Sequence, residues 1–418
     1  VIASYLPNGA WPEPALWALR WALFLGPLAG AGWLMKREGD DRRRIAALFA
    51  LLYGMGTIFV AHQVALAAGW WHYGGGALML AGMPFDILLG GALLFGPVLF
   101  LAAPQTNPVL LAGSIVVCLH APLFSSLRPF VHAGSDWLTG VLVVFLIAHI
   151  PALFLARWTA ENRRLGARVT LLAFGYGWLA FALLPTLIMR AMGGSWSDVP
   201  RTPWILVPAA IVAAPLLLLG ATGAHLFALR GGGTPIPLDP TVRLVRGGIY
   251  AYIRNPMQTC TAALWLLMGA VLANPWVMAA AAMALVFVLG MVRWHHRYDL
   301  LERFPADWLA YREAVPEWWP RWHPWTVEPA RFEFSPTVSW QPLLAAWLER
   351  RVRGLDVRPG TTLRYVDGSY AAQGPNAVAW ALSHINFAAV LLGSALLLVL
   401  APFSTRSPVR EAKERRLV

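Results

Sequence analysis

The chain has 418 residues, of which 58% are hydrophobic and 13% charged, with a mean hydropathy of +0.56. A soluble domain carries about a quarter charged residues, so this composition excludes an ordinary water-soluble protein and points to a body embedded in lipid. The formal net charge of +12 does not argue for nucleic acid, because Lys and Arg fall in short clusters between apolar runs, as they do in cytoplasmic loops of membrane proteins.

A bilayer-crossing helix needs about twenty apolar residues. Candidate spans in chain order are 15–35, 45–67, 77–102, 108–127, 137–156, 169–189 and 204–229. A tighter pair follows, 257–273 and 275–292, joined at Asn274-Pro275, which brings the expected total to about nine. Val1 to Glu13 lacks the basic start of a cleavable export signal, so the first apolar run is expected to stay as a spanning helix. Cys118 and Cys260 are the only cysteines, each inside an apolar segment, which leaves no disulfide framework and no thiolate metal site.

The loops set the expected orientation. Lys36 to Arg44, Arg157 to Arg168, Arg230 to Arg254 and Arg293 to Arg297 are basic. With nine spans and the N-terminus outside, all four fall in the cytoplasm, and the alternate loops, such as Trp70 to Gly74, carry almost no Lys or Arg. The 22 Trp residues mostly flank spans, as interface belts do. The expected location is thus a bacterial-type inner membrane, with lipids as partners and no nucleic acid.

After Pro320 the composition becomes mixed. Charges spaced along 343–353 suggest a half-exposed helix, and Leu363 to Val366 reads as a short strand entering an Asp367-Gly368 turn. A small cytoplasmic α/β domain is expected from 325 onward. Residues 387–403 are apolar, but a crossing there would place Arg406, Arg410, Lys413, Arg415 and Arg416 outside, so a buried or membrane-lying helix is expected.

Isolated histidines at 62, 120, 149 and 225 lie inside spans, and no two share a span at ligating spacing, so a packing role is expected rather than a haem or metal site. Asp86 follows Met83-Pro84-Phe85 and is expected to cap the helix that starts there. His295 and His296 are adjacent and diverge on a helix, which disfavours a metal pair.

One stretch is informative about chemistry. Gly231-Gly232-Gly233-Thr234-Pro235-Ile236-Pro237, then Leu244-Val245-Arg246-Gly247-Gly248-Ile249-Tyr250-Ala251-Tyr252-Ile253-Arg254-Asn255-Pro256-Met257, is too rich in Gly and Pro for a helix. It forms an ordered loop that delivers an Arg to the N-terminus of the next helix, where Pro256 suits the first turn. The alternative is a juxtamembrane loop whose Arg binds lipid head groups. After the helical pair comes His296-Arg297-Tyr298-Asp299-Leu300-Leu301-Glu302-Arg303-Phe304, then Asp307-Trp308, Tyr311 and Val315-Pro316.

Both halves, in this order, resemble the isoprenylcysteine carboxyl methyltransferase and phospholipid methyltransferase family over 231–320. That resemblance implies S-adenosylmethionine as cofactor, held at the cytoplasmic face, and a lipid-attached acceptor entering from the bilayer. It assigns Tyr250, Tyr252, Arg254, Asn255, Pro256, His296 and Tyr311 to cofactor binding. Arg254, with Asp299 and Glu302, would carry the catalytic roles. The family's Glu-Glu pair is replaced here by His296-Arg297, its Gly-Pro-Tyr-Arg by Gly248-Ile249-Tyr250-Ala251, and its Phe-Gly by Phe304-Pro305.

A second stretch, 332–400, resembles the thioredoxin-like DCC family, with Val338 and Gln341 standing where its redox cysteines belong, which removes thiol exchange. The expected architecture is therefore an all-α polytopic membrane protein with a thioredoxin-like cytoplasmic domain, divided at 1–229, 230–324 and 325–418. Two functions remain open at this point: methyl transfer to a lipidic acceptor, or a catalytically degenerate subunit of a larger membrane complex. A reductase sharing the Asp-Trp…Tyr…Val-Pro ending would need a nicotinamide dinucleotide site, and the sequence contains no such motif.

Overall fold

The structure, a computed structural model, describes residues 12–400 except 75–77, 121–123, 125, 126, 128, 129, 237 and 369, with the backbone alone at Leu119 and His120. The expectations for residues 1–11, Pro237, the His120 side chain and the basic tail at 401–418 lie outside the described residues. The chain is a multi-pass membrane protein of two compact units, Val1–Asp198 and Val199–Val418.

In the first unit, α1 (Glu13–Arg37) and α2 (Asp41–Ala67) are followed by β1 (Trp71–Tyr73), the short pair β2 (Met79–Leu80) and β3 (Met83–Pro84), and α3 (Phe85–Ala102). Then come α4 (Pro108–Cys118), β4 (Val131–Ala133), α5 (Trp137–Ala160) and α6 (Leu165–Met192). Helix α2 is the centre, packing on α3, α5 and α6. Lipid gives helices no hydrophobic reason to associate, so close approach through small residues is what holds them. Gly54 lies against Ala92, and a Cβ on Gly56 would stand 2.9 Å from the Gly175 carbonyl oxygen.

Asp86 does not cap α3, whose N-cap is Pro84. It accepts from Arg20 Nη2 at 2.7 Å, and the guanidinium of Arg20 also lies 5.2 Å from the Phe130 ring. A charge among apolar helices needs a countercharge more than a helix needs a cap. His62 accepts a hydrogen bond from Trp71 Nε1 at 3.2 Å, and His149 stacks on Phe95 with centroids 3.7 Å apart, so both take part in packing. Among the described residues no group of three His, Cys, Asp or Glu is placed to hold a metal ion.

The second unit begins with α7 (Pro203–Gly231), α8 (Pro256–Val271), α9 (Pro275–Arg303) and α10 (Pro305–Ala314). Among the described residues seven helices, α1, α2, α3, α5, α6, α7 and α9, are long and apolar enough to cross a membrane. The other two expected spans are shorter helices, α4 and α8. Helix α9 corrects the expected end at 292: it runs to Arg303, because nothing breaks it before Phe304-Pro305.

Beyond α10 lies a four-stranded sheet of β5 (Ala330–Phe334), β6 (Leu355–Pro359), β7 (Arg364–Asp367) and β8 (Tyr370–Gln373), in the order β6-β5-β7-β8. β5 and β6 are parallel, joined through α11 (Gln341–Glu349), while β7 pairs antiparallel with both β5 and β8. Helices α12 (Pro375–Leu382) and α13 (Phe387–Leu400) follow. Helix α13, described as far as Leu400, packs on α7 and α12.

The sheet shares its core with the loop before α8. Phe332, Tyr365, Trp380 and Leu348 are buried in one cluster with Ile249, Tyr250 and Tyr252. Arg230, at the end of α7, pairs with Asp367 of β7, and its guanidinium lies 4.6 Å from the Tyr370 ring and 5.0 Å from that of Trp380.

Candidate ligand-binding cleft

The loop between α7 and α8 is held in shape by glycine and by its own backbone. Gly232 has φ +71°, and a Cβ on Gly233 would meet the Pro240 carbonyl oxygen at 2.4 Å, so these positions admit little else. Thr234 donates from its N–H and its hydroxyl to the Asp239 carbonyl oxygen, each at 3.1 Å. Further along, a 3₁₀ turn (Gly248–Ala251) buries Tyr250 and leads into α8 through Arg254 and Asn255.

The segment from α9 onward is fastened along this loop. The Tyr311 hydroxyl donates to the Tyr250 carbonyl oxygen at 2.9 Å, and the Arg254 N–H donates to the Pro316 carbonyl oxygen at 3.0 Å. The N–H groups of Arg321 and Trp325 donate to the carbonyl oxygens of Tyr252 and Ala251, at 3.0 and 2.9 Å. Arg246 pairs with Asp307 at 2.8 Å, and Arg303 donates to the Thr241 carbonyl oxygen.

Between these pieces lies an open-mouthed cleft, with about 730 Å³ of space between the atoms when the solvent at its mouth is counted. Phe227, Leu244, Val245, Met257, Phe287, Val292 and Leu300 supply apolar wall; Thr234, Thr241, Asn255 and Gln258 supply neutral polar groups. Tyr250, Trp308, Tyr311, His295, His296 and Arg254 add rings and positive charge. Among the described residues no Asp or Glu lines the cleft.

Helix α9 reaches this wall through a departure from α geometry. Val288–Val292 and His296–Leu300 are π-helical, and an i→i+5 repeat turns each following residue to a new face. Phe287, Val292, His296 and Leu300 thereby share the cleft side, at spacings of five, four and four residues.

Arg254 is half-buried, and its Nε, shielded from solvent, has no hydrogen-bond partner among the described residues. Burial pushes the pKa of its guanidinium down, while the Glu317 carboxylate opposes that shift. Glu317 is itself engaged, 3.5 Å from Arg293 and accepting from Asn255 Nδ2 at 3.4 Å. Desolvation also raises the phenol pKa values of Tyr250 and Tyr311, so both stay neutral donors.

Of the residues singled out from sequence, Tyr250, Arg254, Asn255, His296 and Tyr311 line the cleft. Tyr252 does not; it is fully buried and its hydroxyl donates to the Ser383 carbonyl oxygen at 2.9 Å. Pro256 opens α8 and is buried without lining the space. Asp299 lies outside the lining, 3.0 Å from Arg303 and 3.6 Å from His295, and Glu302 is exposed outside it. Sequence reading missed Thr234, Gln258, His295, Trp308 and the apolar wall. Gln258 was within reach, being one helical turn after Arg254; His295 was not, since the spacings on α9 follow its π turns.

The fit to S-adenosylmethionine is poor. That molecule carries a sulfonium and an ammonium against one carboxylate, a net positive charge. Arg254 could take the carboxylate and ring faces could cover the sulfonium, yet no anionic side chain lines the cleft to offset the remaining charge. Comparison with known proteins decides nothing further: no protein family, curated protein or solved structure matches this chain.

Proposed function

We propose that this is an inner-membrane protein built on the isoprenylcysteine/phospholipid methyltransferase plan, which keeps a ligand cleft at the cytoplasmic face without methyl-transfer chemistry. It acts as an accessory subunit of a larger membrane assembly. The observation that carries this reading is the lining of the cleft, basic and neutral with no carboxylate, together with His296-Arg297 at the place of the family's paired glutamates. The orientation, N-terminus outside and sheet domain in the cytoplasm, is supported by the one-sided placement of the basic loops.

The C-terminal domain fits the same pattern. A parallel βαβ unit followed by an antiparallel pair and a helix, in the order β6-β5-β7-β8, supports the thioredoxin-like reading. At the turn where that family carries its cysteines, Gln341 accepts from the Ser335 N–H at 2.7 Å, a structural bond in place of a thiol. Such a domain serves as a docking module.

Titration calorimetry of the purified protein with S-adenosylmethionine tests the reading. We expect no heat attributable to binding below millimolar concentration, and co-purification of stoichiometric partner chains from native membranes. Micromolar binding with methyl transfer to an added lipid would restore the enzyme reading, which draws support from the closure of loop, α8, α9 and α10 around one space.

A further inference from the structure

The ribbon of β1 and β4 joins two loops of the first unit, and its two faces have different surroundings. Alternation along a strand puts Trp71 and Tyr73 on one face with Val131 and Ala133, and His72 and His132 on the other. The first face is packed. Trp71 and Val131 are buried, the Trp71 ring lies 5.2 Å from that of Phe124, and the Tyr73 ring lies 5.1 Å from that of His62. The second face carries the two histidines. His72 is exposed and His132 half-buried, and among the described residues neither imidazole has a hydrogen-bond or ion-pair partner.

Strand register sets these two side chains directly opposite each other. It is pinned on both sides, by the Gly134 N–H donating to the Trp70 carbonyl oxygen and the Gly74 N–H to that of Phe130, each at 2.8 Å. The rings are stacked, with centroids 4.6 Å apart and planes 9° from parallel. A neutral imidazole keeps an in-plane lone pair on one nitrogen and binds transition metals through it. Two bonds of ~2.0–2.1 Å to one tetrahedral ion bring their nitrogens ~3.3 Å apart. The rings reach that arrangement by tilting toward each other, a side-chain motion open to them on the exposed face, where water completes the coordination. Stacking alone needs only two flat rings, not two nitrogen donors.

We propose that His72 and His132 chelate a transition-metal ion, Cu(II) more tightly than Zn(II), and that the ion clips the loop between α2 and α3 to the loop between α4 and α5. Unfolding separates the two donors, so the ion favours the folded ribbon. The site lies wholly in the first unit and is independent of the cleft in the second.

Copper(II) titration of the full-length, tag-free protein in detergent, followed by electron paramagnetic resonance, tests this. A stoichiometric equivalent should bind with superhyperfine splitting from two nitrogens. His72→Phe and His132→Phe each keep a stacked pair of rings and remove a donor, and each should weaken the ion about tenfold or more. Zinc(II) should raise the thermal midpoint of the unaltered protein and leave that of the His72→Phe/His132→Phe variant where it was. Binding should persist in a His295→Gln/His296→Gln variant, which removes the adjacent histidines of the second unit. Undiminished copper affinity in the phenylalanine variants, or its loss from the glutamine variant instead, would overturn the proposal. Where the phenylalanine variants fail to fold, chemical protection on the unaltered protein decides. Zinc should shield His72 and His132 together from diethyl pyrocarbonate, read by mass spectrometry; equal labelling with and without zinc would overturn the site.

Discussion

His384 is buried behind β7, with Nδ1 3.0 Å from the Arg353 carbonyl oxygen and Nε2 2.9 Å from the Tyr365 hydroxyl. A carbonyl only accepts, so Nδ1 carries the proton and Nε2 accepts from Tyr365. Burial lowers the pKa of this imidazole below its usual 6.5. The unfolded chain therefore binds a proton more readily than the folded one as pH falls. The stabilisation is fully present above about pH 6.5 and is lost progressively below it. Thermal unfolding between pH 8 and pH 5 should show a falling midpoint, and His384→Gln should flatten that slope; an unchanged slope would place the acid sensitivity elsewhere. None of this could be read from sequence, where His384 is one polar residue after a helix. The Arg20–Asp86 pair was hidden for a similar reason: Asp86 looked like a local cap, and only folding brings partners 66 positions apart together.

At the scale of elements, the bundle around α2 depends on absent side chains. A Cβ at Gly56 would stand 2.9 Å from the Gly175 carbonyl oxygen and 3.0 Å from the Leu179 nitrogen, atoms of a helix backbone that cannot step aside. Gly56→Leu should therefore lower stability by roughly 1–3 kcal/mol or more, read as a drop in the thermal midpoint. Gly32→Leu, where a Cβ meets nothing within 4 Å, should be tolerated. The long spans were legible because twenty apolar residues leave few alternatives. The end of α9 was not: Arg293 to Arg297 resembled the start of a loop, but charge alone does not end a helix, and the first residue that can is Pro305. Three lining residues follow from that extension, since His295, His296 and Leu300 all lie beyond the expected stop.

In the second unit as a whole, the sheet and the cleft loop form one folding problem. Ile249, Tyr250 and Tyr252 belong to the same buried cluster as Phe332, Tyr365 and Trp380. A chain ended after Pro324 would leave those loop residues facing water, so it should yield aggregated protein in gel filtration in detergent, whereas the full chain runs as a single species. A well-behaved truncated protein with an intact ligand site would show the sheet to be an independent appendage. Sequence placed a domain boundary at 325 because composition changes there, and the strand at 364–367 was legible from its alternation and the Asp-Gly turn. What composition could not convey is that the apolar residues of the 249–252 turn are spent on the sheet as well as on the cleft, which is why Tyr252 turned away from the site it was expected to serve.

The clamp at Arg230 has a mechanical consequence. A guanidinium caught between a carboxylate and two aromatic faces couples the last turn of α7 to two strands and a helix at once. A slide of α7 by a single residue's rise, about 1.5 Å, would part the cation from its seat, so the helix and the sheet shift together or not at all. Phe227 of the cleft wall lies three residues before that clamp on the same helix, so the seat of Arg230 also fixes where α7 presents its side of the cleft.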